Sequence, residues 1–203
     1  MAETVAVAAA LLGAYLFVPS ASGLLGLVVV GYILIERRLR RRSWADLGFR
    51  ASTFRADVRA NWQLIVLEAV VVQIVVGLFA RYGWRAFGDH IQSRVSQLTG
   101  GKVVVLAVLL VVSTLMEELI YRATLQQRLS TVMHPALAIL AAAVVFGLVH
   151  RADGPAAVVV VDIALVAVDG ALCGWIYQRR HNILVSWMTH FVADVVAALI
   201  LFS

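Results

Sequence analysis

Long apolar runs, separated by short basic or polar segments, make up most of this chain. The runs cover residues 5–35, 62–80, 103–121, 136–150, 156–177 and 183–202. A helix needs about 20 apolar residues to cross a bilayer, and most of these runs are of that order. The first is interrupted at Val18-Pro19-Ser20-Ala21-Ser22-Gly23. That interruption predicts a helical hairpin or one kinked, tilted helix, with the hairpin slightly favoured because each half is short for a span. Apolar residues run on without period-two alternation, which excludes a transmembrane β-barrel. The pattern predicts an all-α, polytopic transmembrane helix bundle of six to seven spans.

Composition strengthens this reading. Hydrophobic residues make up 62% of 203 residues and charged residues 14%, against roughly 45–50% and 25% for a soluble domain. A soluble core of this size could not bury so much apolar surface, so water-soluble, disordered and disulfide-scaffold classes are excluded. The net charge of +5 comes from 17 basic residues, all arginine except Lys102. In a membrane protein this excess reflects cytoplasmic loops rather than nucleic acid. If the spans alternate, segments 36–61, 122–135 and 178–182 share one side. They hold Arg37, Arg38, Arg40, Arg41, Arg42, Arg50, Arg55, Arg59, Arg122, Arg128, Arg179 and Arg180. Arg81, Arg85, Arg94, Lys102 and Arg151 lie on the other side. The asymmetry predicts that the first side is cytoplasmic and the C-terminus outside; the N-terminus is inside for seven helices and outside for six. The start of the chain has no basic region, and no A-x-A site follows its apolar stretch, so it is expected to be retained rather than removed as a signal peptide. Two regions are expected: residues 1–61, an apolar hairpin or kinked helix with a basic cytoplasmic linker, and residues 62–203, the transmembrane bundle.

Several ionisable residues lie where lipid disfavours them, at an insertion cost of at least about 2.5–3.5 kcal/mol each. Glu117 and Glu118 close one run, His150 ends another, and His190 and Asp194 sit inside the last. Glu68, Asp162 and Asp169 lie in two others. Residues four apart share a helix face. Glu118 can therefore pair with Arg122, His190 projects with Asp194, and Phe146 packs one turn before His150. Glu117 points about 100° away from Glu118 and is free to face a cavity. Carboxylates and imidazoles from three helices can meet at one intramembrane point, which suits acid–base chemistry on a water or a metal site. Asp162 and Asp169 are expected to pair or to line the cavity. His90, His134 and His181 are expected to be solvated in loops, Cys173 to be a buried, inert thiol, and the five tryptophans to lie mostly near span ends.

The spacing Glu117-Glu118-x-x-x-Arg122, Phe146-x-x-x-His150 and His190-x-x-x-Asp194 resembles the three-motif signature of the CPBP family. That family comprises CAAX prenyl endopeptidases, bacteriocin-processing proteins and Abi-type proteins, which are polytopic intramembrane proteases. The resemblance covers about residues 103–202, which it marks as a catalytic core. It implies that Glu117, assisted by His150, activates the attacking water. It implies that His190 and residue 194 stabilise the oxyanion, and that Glu118 and Arg122 hold the helix end. The family often has Asn in the last position, and Asp194 can donate a hydrogen bond only when protonated. An ionised Asp194 would orient His190 or bind a metal. The family has been described both as metalloproteases and as metal-free glutamate peptidases, so Zn2+ held by Glu117, His150, His190 and Asp194 stays open. The expected partners are the bilayer and a membrane-associated peptide or protein substrate, without nucleic acid, in a cavity opening to the cytoplasm of a bacterial inner membrane. Two other function classes fit the same helices: a non-catalytic immunity factor or scaffold, and a proton-coupled transporter relying on Glu68, Asp162 and Asp169.

Overall fold

The computed structural model describes residues 22–99 and 102–202; the first half of the expected hairpin lies outside them. Seven principal helices follow in order: α1 (Ser22–Leu39), α2 (Ala51–Gly83), α3 (Arg85–Thr99), α4 (Val104–Leu129), α5 (Pro135–Val149), α6 (Ala156–Arg180) and α7 (Ile183–Phe202). No strand occurs among the described residues. Four helices, α2, α4, α6 and α7, are long and apolar enough to cross a membrane, and α5 is apolar but shorter. The expected six to seven spans also counted α1 and the segment before it. Large apolar side chains such as Val104, Val108, Val160 and Leu199 face outward. An apolar exterior of this kind suits lipid and not water.

Several boundaries differ from expectation. The segment before residue 62, read as polar linker, is helical from Ala51, and α4 runs eight residues beyond 121. Both helices contain π-helical turns, at Leu67–Val72 and Phe79–Gly83 in α2 and at Tyr121–Gln126 in α4. Hydropathy marks where a helix leaves lipid, not where its hydrogen bonds end. Arg122, counted above with a basic loop, is a buried residue of α4. Its charge is met by Glu118, so the helix continues through it. The stretch 85–99, taken as part of a loop, is helix α3.

Contacts at the helix ends sort them into two poles. At one, Arg128 pairs with Glu36, the Ile183 amide donates to the Gly48 carbonyl at 2.8 Å, and Asn182 Nδ2 donates to Asp57 at 2.8 Å. At the other, Arg81 donates to the Ile200 carbonyl at 3.0 Å and Gln92 to the Leu201 carbonyl at 2.7 Å. The arginine-rich segments gather at the first pole. The core between the poles joins Ile33, Ile120, Tyr121, Ala142, Phe146 and Val149. Helices α5 and α6 approach closely at two glycines. A Cβ on Gly147 would lie 2.6 Å from the Ile163 carbonyl oxygen, and one on Gly170 would lie 2.9 Å from the Phe146 ring.

Candidate active site

The length of α4 settles how residues from opposite ends of the apolar runs can meet. Glu117 is near the middle of this helix, twelve residues before Leu129, or about 18 Å at 1.5 Å per residue. Helix α5 starts six residues after Leu129, at Pro135, and rises about 22 Å to Val149. His150 therefore arrives at the level of Glu117. Pro135 sits at the first helical position, where its missing N–H costs nothing. Glu117, which closes its apolar run, is thus mid-helix.

Glu117 lies between two imidazoles. Its Oε1 is 3.7 Å from His150 Nε2 and its Oε2 is 3.7 Å from His190 Nε2. Both separations exceed a direct hydrogen bond and suit bridging by a water. Each ring is fixed through its other nitrogen. His150 Nδ1–H donates to the Phe146 carbonyl at 2.7 Å, and the two rings lie 4.5 Å apart. That bond leaves the neutral ring an acceptor at Nε2. His190 Nδ1–H donates to Glu118 Oε1 at 3.1 Å, and its Nε2 is also 3.9 Å from both Asp194 and Asp169. His190 is nearly inaccessible, whereas Asp194 is more than a third exposed at its side chain.

Beneath this cluster lies a buried ion pair. Glu118 Oε1 and Arg122 Nη1 are 3.3 Å apart, with exposures of 0% and 1%. Arg122 Nη2 also donates to the Gly170 carbonyl at 3.2 Å, and its guanidinium stands 4.7 Å over the Phe146 ring. The pair thus ties α4 to α6 and, through His190, to α7. All seven residues singled out from the sequence meet here. Glu117 turns to the cavity while Glu118 turns inward, as their 100° offset requires.

The cavity has a volume of about 860 Å3 and is lined by Glu117, His150, His190, Asp194 and Asp169, with apolar walls from α2, α4 and α7. It runs from Glu117 toward the second pole, past α3, and no residue of 36–61, 122–135 or 178–182 lines it. The expectation that it opens at the arginine-rich pole is therefore corrected. Those loops pack against each other and close that end.

Sequence reasoning missed the contribution of α3. His90, expected to be solvated, is buried and lies 3.3 Å from Asp162, and Arg94 pairs with the same carboxylate at 2.7 Å. Arg94 also donates to the His150 carbonyl at 3.2 Å. The four-residue spacing of Phe87, Ile91 and Val95 was the available signal for an amphipathic helix. Asp162 and Asp169 both line the cavity but do not form a pair: Asp162 is held by α3, and Asp169 accepts from Gln73 at 3.4 Å. Asp169 is the further carboxylate at His190.

Among the described residues, the group with all donors within 4.8 Å of one another is Glu68, Asp169 and Cys173. Glu117 lies 3.7 Å from each imidazole and Asp194 3.9 Å from His190, but the four motif donors are not all within 4.8 Å of one another.

Residues 99–196 match the family model described as type II CAAX prenyl endopeptidase Rce1-like. No curated protein and no solved structure matches the chain. The matched residues contain all three motifs, and the four apolar helices make the chain an integral membrane protein. That match, over residues 99–196, supports membership of the CPBP family of membrane proteases.

Proposed function

We propose that this protein is an intramembrane endopeptidase in which Glu117 and His150 activate a water against a peptide bond. The observation that carries the reading is the position of Glu117 at the cavity wall, 3.7 Å from each of two fixed imidazoles. A water in that gap can donate one proton to Glu117 and its other hydrogen to His150 Nε2. As the water oxygen bonds the scissile carbonyl carbon, its proton passes to Glu117. The carbonyl oxygen takes the negative charge and accepts from His190 Nε2–H, with Asp194 beside it as a second donor in its protonated form. Glu117 then hands its proton to the departing amide nitrogen as the C–N bond breaks. Glu118 and Arg122 act by holding His190 Nδ1, not by touching substrate. The substrate class is a membrane-associated peptide or protein whose cleaved segment enters extended from the α3 pole. A bacterial inner membrane is the proposed location.

The transporter reading loses support because Asp162 is already engaged by Arg94 at 2.7 Å. The test is co-expression of candidate membrane substrates with the wild type or Glu117→Gln, read by cleavage on immunoblots. A general base contributes typically 10²–10⁴-fold, so Glu117→Gln should abolish cleavage while the protein still inserts and folds. Full activity of purified Glu117→Gln removes Glu117 from the base role.

A further inference from the structure

Behind His190, away from the three motifs, α2 and α6 bring together Glu68, Asp169 and Cys173, with ligand atoms all within 4.8 Å of one another. Glu68 is 0% exposed, and Cys173 is equally buried. Among the described residues, Glu68 faces no basic side chain within ion-pairing distance. Its Oε1 accepts from Gln73 Nε2 at 3.2 Å, while its Oε2 is buried without a hydrogen-bond partner. The same Gln73 nitrogen donates to Asp169 Oδ1 at 3.4 Å, so one amide orients both carboxylates. Glu68 stands on the π-helical turn Leu67–Val72, a local departure of the kind often found at functional sites. Arg122, the buried guanidinium of this region, pairs with Glu118 and donates from Nη2 to the Gly170 carbonyl.

Two carboxylates and a thiol, enclosed in protein with one carboxylate oxygen left unpartnered, suit a cation. We propose that Glu68, Asp169 and Cys173 form a second site, for a divalent metal ion of the zinc class. The donor set selects that class. A thiolate favours a borderline ion such as Zn2+ over Mg2+ or Ca2+, which prefer six or more oxygens. Zn2+ takes oxygen at about 2.0–2.2 Å and sulfur at about 2.3 Å in a tetrahedron. Its donors then lie about 3.5 Å apart, so the present cluster contracts by about 1 Å on binding. Binding removes the Cys173 proton to solvent. Gln73 serves as the outer hydrogen-bonding partner that aims both carboxylates. The fourth position is left to a water from the cavity, which Asp169 lines. The ion would cross-link α2 to α6 and fix the carboxylate that faces His190. This site does not depend on the proteolytic reading, because none of the three motifs supplies its ligands.

The test uses the full-length protein in detergent, stripped with a chelator and then titrated with Zn2+ or Co2+. One equivalent should bind tightly to the wild type and equally to Glu117→Gln. The Co2+ form should show a thiolate-to-metal charge-transfer band that Cys173→Ser abolishes. Gln73→Leu should weaken binding 10–100-fold, as loss of an outer partner does. Cys173→Ser is close to isosteric, so it keeps the test usable if Glu68→Gln does not fold. A folded wild type that binds no stoichiometric metal would overturn the proposal and leave Glu68 and Asp169 sharing a proton. Metal retained by Cys173→Ser but lost with Glu117→Gln would overturn it in favour of the motif residues.

Discussion

Neutralising Glu118 should destabilise the fold much more than neutralising its neighbour Glu117. In the wild type, Glu118 and Arg122 are 3.3 Å apart and almost wholly buried. At an effective dielectric of about 20, charges at that separation attract by about 5 kcal/mol. Glu118→Gln removes the attraction and strands a buried guanidinium, leaving it the Gly170 carbonyl and the Phe146 ring. Breaking one partner of a buried pair costs about 3–5 kcal/mol. For a chain of this size each kcal/mol moves Tm by about 2–4 °C, so a fall of about 6–20 °C is expected in a thermal scan in detergent. Glu117, by contrast, sits against the cavity with a quarter of its side chain exposed and is 3.7 Å, not hydrogen-bonding distance, from each imidazole, and Glu117→Gln should move Tm by no more than about 2–4 °C, or roughly 1 kcal/mol. The double variant Glu118→Gln with Arg122→Met should recover part of the loss, because no unpaired charge remains. Equal Tm for Glu118→Gln and wild type would refute the reasoning, as would a double variant less stable than Glu118→Gln alone.

Three other outcomes are expected. Reporters fused after Arg50 and after Phe87 should label the cytoplasm and the outside respectively; the reverse pattern would place the cavity-bearing α3 pole in the cytoplasm. Asp194→Asn should keep or raise cleavage near neutral pH if Asp194 donates to the oxyanion, since an amide donates at every pH; a large drop, with stoichiometric Zn2+ lost in the same variant, would contradict that role. In the linker, the Ser43 backbone N–H donates to Asp46 Oδ2 at 2.7 Å, and this bond, with a second from the Ser43 hydroxyl, holds the Asp46 carboxyl below its ordinary value of 3.8. A carboxyl lowered on folding stabilises above its unfolded pKa and loses that effect as pH falls through the folded value. Carbon-detected NMR should show Asp46 titrating below 3.8, and Ser43→Ala, which keeps the amide bond, should raise the midpoint only in part; a midpoint at or above 3.8 in the wild type would refute the assignment.

Much of this protein is legible in one dimension because lipid is a simple solvent. Runs of apolar residues must be helices, since every backbone group has to be satisfied within its own segment. Ionisable residues inside those runs are costly enough to stand out. The four-residue periodicity then pairs Glu118 with Arg122 and separates Glu117 from both. Those inferences involve residues on one helix, where spacing alone determines direction. Tertiary structure decided what depends on the relative height and rotation of different helices. Hydropathy could not show that α4 runs on through the buried Arg122, because a paired guanidinium reads like a loop charge. That extension, with the start of α5 at Pro135, is what brings His150 level with Glu117. The cavity's direction, the packing of His90 and Arg94 from α3 onto Asp162, and the meeting of Glu68 with Asp169 and Cys173 likewise depend on contacts between segments far apart in sequence. No local pattern encodes such distances, because they follow from how complementary helix faces settle against one another.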